Sequence, residues 1–191
     1  MGTSNQDPPP LKRQNRRLIA ENRMFEIYFD HVIAEDHTEV PEYLVVVPKR
    51  KTADGITGVA ILPVINGKIP LLKIYRHPVD SWSWEIPRGF VESDEDTLES
   101  VARELEEETG LQCRRENIRS LGIIDADAGT LCAKIQLFVG ENCETVRPFA
   151  PEEMGHLRMK FFTENEIYQM IEQSEIRDPS TLIAFYKYIN K

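Results

Sequence analysis

The stretch that most constrains this chain runs from Gly89 to Leu111 and reads GFVESDEDTLESVARELEEETGL. Wound as a helix at about 100° per residue, it places Leu98, Val101, Ala102 and Leu105 on one narrow stripe, the spacing of a face turned toward a core. Glu104, Glu107 and Glu108 gather on the flank of that stripe. Carboxylates at i, i+3 and i+4 are neighbours on a helix surface and repel one another. A helix selected only for stability would not keep them together, whereas a divalent cation among them supplies the missing counter-charge. Hard oxygen donors suit Mg²⁺ or Mn²⁺ better than zinc. Arg103, next to Glu104, can orient or partly neutralise a carboxylate through its planar fork. Gly110 ends the helix where a left-handed residue is cheap. Gly89 lets the preceding loop turn tightly and bring backbone close to a ligand. The plainer reading of such a charge run is a solvated acidic helix face, and the longer pattern around it decides against that.

The pattern is a glycine, five residues, Glu95, seven residues, then Arg103, Glu104 and Leu105, followed by Glu107, Glu108, Gly110 and the aliphatic Leu111. It resembles the box of the Nudix hydrolases at every defined position. The resemblance implies a loop–helix–loop that binds Mg²⁺, with Mn²⁺ as a substitute, in an enzyme cleaving a nucleoside diphosphate linked to another moiety. It implies Glu104, Glu107 and Glu108 as metal ligands, the carbonyl of Arg88 as a further ligand, and Glu95 and Arg103 as their catalytic support.

The segment Arg76–Arg88, RHPVDSWSWEIPR, is bracketed by Pro78 and Pro87 and reads as a loop or irregular strand. For at least one of Trp82 and Trp84 packing is the expected role. With Tyr75 and Gly89 the run resembles the approach to the box in Nudix ADP-ribose pyrophosphatases, which implies that Arg76 and Glu85 bind substrate. His77 has no match there and reads as a hydrogen-bonded structural histidine. Arg88 stands where many relatives have a small residue and makes the expected pocket rim more basic. The polar loop Glu141–Gly155 precedes a strand at His156–Phe162, and related pyrophosphatases place a glutamate base or metal ligand in such a loop. That spacing makes Glu153 the first candidate for the base and Glu152 the second. Where those enzymes carry a proline-containing segment, this chain has Asp127-Ala128-Gly129, with turn formation the expected work of its aspartate.

The chain has 191 residues, room for one sizeable domain with an appendage, and a formal charge of −9. That charge argues against a broad nucleic-acid surface or an anionic membrane partner, and it requires cations in any phosphate pocket. The odd set Cys113, Cys132 and Cys143 lacks zinc spacing and reads as reduced thiols in a cytoplasmic protein. No apolar run approaches a membrane span. Residues 1–22 read as a tail and a short basic helix at Leu11–Asn22, whose Lys12, Arg13, Arg16 and Arg17 either face solvent or touch a phosphate. Residues 23–55 read as an antiparallel β subdomain and 56–191 as the Nudix domain. Asn66–Gly67 is a hairpin signal, with Lys68–Tyr75 returning. Thr163 and Glu166 stand at capping-box distance, and a last helix is expected over Ser180–Ile189.

The fold expected is α/β: an α/β/α sandwich around a mixed sheet, extended by amino-terminal antiparallel strands. The resemblance implies ADP-ribose or a similar nucleotide sugar as small-molecule substrate and a homodimer packed through those strands. It leaves open another nucleoside diphosphate derivative, such as a dinucleoside polyphosphate, a coenzyme or a capped RNA end. A sensor that binds a nucleotide sugar without cleaving it also stays open.

Overall fold

The computed structural model describes residues 8–92, 95–151 and 153–190. The expected tail is therefore met only from Pro8 onward, and its first seven residues lie outside the described residues. The chain divides into two compact units, Met1–Lys49 with Asp127–Cys132, and Arg50–Ala126 with Ala133–Lys191.

The first unit is a three-stranded antiparallel sheet of β1 (Leu11–Glu21), β2 (Phe25–Ala34) and β3 (Glu39–Pro48). The basic stretch expected as a short helix is strand β1, an outcome set by pairing across the sheet rather than by local preference. Arg16 lies directly opposite Asp30 and grips its carboxylate with Nε and Nη2, each at 2.7 Å. Arg17 donates to Glu42, so both arginines are engaged within their own sheet. Such cross-strand pairs override the modest helix preference of a Lys/Arg/Gln-rich run. Asn22 closes the β1–β2 turn by accepting from the amides of Met24 and Phe25. The segment Asp127–Cys132 docks on β3 through Val46.

The second unit runs β4 (Gly58–Pro63), β5 (Ile69–Arg76), β6 (Ser81–Glu85), β7 (Arg88–Phe90), α1 (Thr97–Thr109), β8 (Leu111–Gln112), β9 (Ile118–Asp125), β10 (Lys134–Gly140), β11 (Glu144–Thr145), β12 (His156–Phe162), α2 (Glu164–Glu172) and α3 (Pro179–Ile189). A mixed sheet in the order β7-β4-β10-β9 has one parallel pair, β4 with β10. A second, antiparallel sheet has the order β12-β5-β6. The core follows from alternation along β4 and β10. Ala60, Leu62, Leu137 and Val139 face one cluster with residues of α2 and α3. Val59, Ile61 and Phe138 face the other, with Val101 and Leu105 of α1. Period-two strands thus lend one face to each helical layer, the α/β/α sandwich expected. Strand β4 is buried throughout, which is why it reads as a continuous apolar run.

The Asn66–Gly67 turn forms with both residues at positive φ, 50° and 71°, and Ile65 and Lys68 exchange backbone bonds across it. The ladder stops there. Pro63 and Pro70 have no N–H to offer, and β4 and β5 leave for different sheets. Thr163 and Glu166 form the capping box of α2. Among the described residues no helix is long and apolar enough to cross a membrane. All three cysteines are free thiols.

Candidate active site

Helix α1 is fixed at both ends. Asp96 accepts from the amides of Leu98 and Glu99, and Glu99 returns the bond to Asp96. Gly110 closes the other end at φ 71°. Burying Val101 and Leu105 completely obliges the adjacent flank to turn toward β7. Glu104 and Glu108 are buried there, whereas the Glu107 side chain is 55% exposed. The three glutamates are therefore not equivalent.

Arg103 organises the first group. It donates to Glu95, to Glu104 at 2.7 Å, to Glu107 at 3.1 Å and to the carbonyl of Phe90. Ser100 adds a hydroxyl bond to Glu95. Hydrogen bonding from Arg103 holds the Glu95 carboxyl below its ordinary range. Burial pushes Glu104 up in spite of the same guanidinium. Gly89 lies in β7 rather than in a loop, and the close approach expected of it is to Glu104: a Cβ there would sit 2.1–2.3 Å from that carboxylate.

The second group lacks such support. Glu108 accepts from the amide of Arg88 at 2.9 Å. Its remaining oxygen faces His156 Nε2 at 3.7 Å, and the same nitrogen is 3.7 Å from Glu153. Burial pushes the Glu108 carboxyl up to about 9, and the nearby charges of Glu153 and Glu104 act in the same direction. Ligand atoms of Glu108, Glu153 and His156 all lie within 4.8 Å of one another. A buried carboxylate and an exposed one beside an imidazole, with only the more distant Arg76 as counter-charge, fit a divalent cation. Glu152, the second candidate for a base, lies outside the described residues.

A third group adjoins them. Glu85, its side chain 2% exposed, accepts from Arg76 at 2.7 Å and from Arg88 at 3.0 Å. The other arm of Arg88 reaches Asp178 at 2.8 Å. Asp178 caps α3 through the amide and hydroxyl of Thr181. Both arginines remain partly open, positive charge available to a phosphate beside buried carboxylates.

Sequence reading thus assigned Arg76, Glu85 and Arg88 to a pocket, and they form one ion-pair network. It did not single out His156 or Asp178. Asp178 precedes Pro179 and Thr181, a cap signature, but its grip on Arg88 crosses from α3 to β7 and leaves no local trace. His77 is exposed in the one-turn helix His77–Val79. Trp84 is packed edge-on against Phe162, while Trp82 stays exposed. Asp127 accepts from the amide of Gly129, as a turn aspartate does.

Known proteins resemble this chain in sequence and in fold. The NUDIX domain matches residues 56–182. Over 176 residues the chain is 25% identical to an ADP-ribose pyrophosphatase of Bacillus subtilis (strain 168), covering 91% of this chain and 92% of that protein. Over 91 residues, 47% of this chain, it is 35% identical to a CMP-5'-(N-acetyl-N-hydroxy-3-aminopropyl)phosphonate hydrolase of Streptomyces rubellomurinus (strain ATCC 31215), a match spanning only 43% of that protein's length. A solved ADP compounds hydrolase superposes with a TM-score of 0.77 over 97% of this chain and 96% of that one, at 13% identity, a likeness of fold.

Proposed function

The chain belongs to the Nudix family of pyrophosphohydrolases, and from that premise we propose that it cleaves the diphosphate linkage of a nucleoside diphosphate sugar, ADP-ribose first among them. The products are a nucleoside monophosphate and a sugar phosphate. The observation that carries the reading is the pair of buried carboxylates, Glu104 and Glu108, beside the half-open Arg76 and Arg88. Glu104, Glu107 and Glu108 are the metal ligands, joined by the carbonyl of Arg88. Bound Mg²⁺ or Mn²⁺ supplies positive charge that draws electron density off the diphosphate oxygens. Glu153 takes the proton of the attacking water. Arg76 and Arg88 offset negative charge growing on the phosphoryl oxygens, and Glu85 holds both in place. Arg103 keeps Glu95, Glu104 and Glu107 in register.

A second reading, another nucleoside derivative as substrate, is supported by the likeness to a CMP-phosphonate hydrolase and by Asp127-Ala128-Gly129 in place of a proline-containing segment. Product analysis with Mg²⁺ across nucleotide sugars, dinucleoside polyphosphates and coenzymes separates the two. Preferred release of AMP and ribose 5-phosphate from ADP-ribose supports the first; slower turnover of ADP-ribose than of another substrate overturns it. No phosphate ester after prolonged incubation with any of them would leave only a sensor. We read the working form as a homodimer, since Leu18, Val40 and Leu44 of the three-stranded sheet are exposed, and sedimentation equilibrium tests it. Its free thiols suit the cytoplasm.

A further inference from the structure

We infer that His156 donates an imidazole nitrogen to the cation held at Glu108, beside the base Glu153, so that the site takes a first-row divalent ion of the Mn²⁺ type in preference to Mg²⁺. The inference rests on the metal reading above and extends it to a donor that the box does not contain.

Three observations carry it. First, the imidazole is buried, its side chain 4% exposed, and Nε2 points between two carboxylates at 3.7 Å from each. That separation is too long for a hydrogen bond, and among the described residues the ring has no closer partner. It does match two donors sharing one ion. Donors about 2.1 Å from a cation stand about 3.0 Å apart when adjacent and about 4.2 Å apart when opposite, and 3.7 Å falls between. Second, the approach is built by the backbone. The amide of His156 donates to the carbonyl of Glu153, closing a tight turn, and Gly155 within it has φ 93°. Tyr75 donates its amide to the Gly155 carbonyl, and a Cβ on Gly155 would lie 2.9 Å from the Tyr75 carbonyl oxygen. The turn therefore presents Glu153 and His156 together, against β5, and a larger residue at 155 would undo the arrangement. Third, Mg²⁺ favours oxygen donors and retained water, whereas first-row transition ions accept imidazole readily. Carboxylates joined by one imidazole are a mixed set that discriminates between them.

The experiment uses Mn²⁺ alone as the probe on the full chain, with pulsed electron paramagnetic resonance and binding titration. Wild-type protein with bound Mn²⁺ is expected to show nitrogen modulation that changes when the histidines are selectively labelled with ¹⁵N. His156→Ala is expected to lose that modulation and to bind Mn²⁺ about tenfold more weakly, while Mg²⁺ affinity shifts less. Mn²⁺ that binds the wild type with no histidine-derived modulation overturns the inference and leaves the carboxylate site standing. Failure of the wild type to bind Mn²⁺ at all overturns both. The labelled wild-type spectrum decides the matter even where the alanine variant fails to fold.

Discussion

Two turns of one helix treat the same side chain in opposite ways. Around Arg103, three glutamates share one guanidinium, and burial of Glu104 is answered by a bond of 2.7 Å. Around Glu108, an imidazole stands at 3.7 Å, and burial is answered only by one backbone amide and the more distant charge of Arg76. The chain furnishes its own counter-charge to the first group. It gives less to the second, where we propose that an ion completes the set. A buried acid without a full counter-charge is costly to ionise, and that is the group we propose as the working end of the box.

The contrast can be broken by substitution. Glu108→Gln should have the largest effect, a loss of turnover of about a thousandfold or more, with near-native circular dichroism; wild-type rates would remove Glu108 from the site. Glu153→Gln comes next, with a fall of about a hundredfold in kcat and a smaller change in KM. Glu107→Gln should cost less than either, because Glu107 is held by Arg103 at the exposed rim. Equal losses at 107 and 108 would mean that the exposed acid serves the ion as much as the buried one. Asp178→Asn should raise KM severalfold with little change in kcat, since asparagine caps a helix as well as aspartate but surrenders the charge that steadies Arg88.

A stability measurement sharpens the contrast through pH. The Glu108 carboxyl stands near 9 in the folded protein against an ordinary 4.5. A carboxyl raised on folding binds its proton more tightly in the native state. Its contribution to stability is therefore complete below about 4.5 and lost as pH climbs through about 9, at up to about 1.4 kcal/mol per pH unit. Denaturant midpoints of the metal-free protein should fall between pH 5 and pH 9 more steeply in the wild type than in Glu108→Gln. Saturating Mn²⁺ should flatten the wild-type slope. Identical slopes in the two proteins would show that Glu108 is not the uncompensated acid.

Much of this was legible in residue spacing. The stripe Leu98–Val101–Leu105, the caps at Gly110 and Thr163–Glu166, and the strand His156–Phe162 each depend on neighbours a few positions away. What escaped depends on partners far along the chain. Leu11–Glu21 is a strand because Asp30 and Glu42 receive its arginines, not because of anything in the run itself. Asn66–Gly67 announced a turn but not the separate sheets that claim the strands on either side. Asp178 caps α3 locally, and nothing near it in sequence says that its second oxygen serves an arginine on β7. His156 needed the Gly155 turn to be seen as a neighbour of Glu108.

The room left at Gly89 ties two distant positions to a common fate. Its backbone angle is ordinary, so what an added methyl meets is not strain but the tip of Glu104. Shortening that acid to aspartate would vacate the space, and an alanine at 89 becomes bearable only with such a companion change. A laboratory library that samples both sites together is expected to tolerate alanine at 89 more often than one that samples 89 alone.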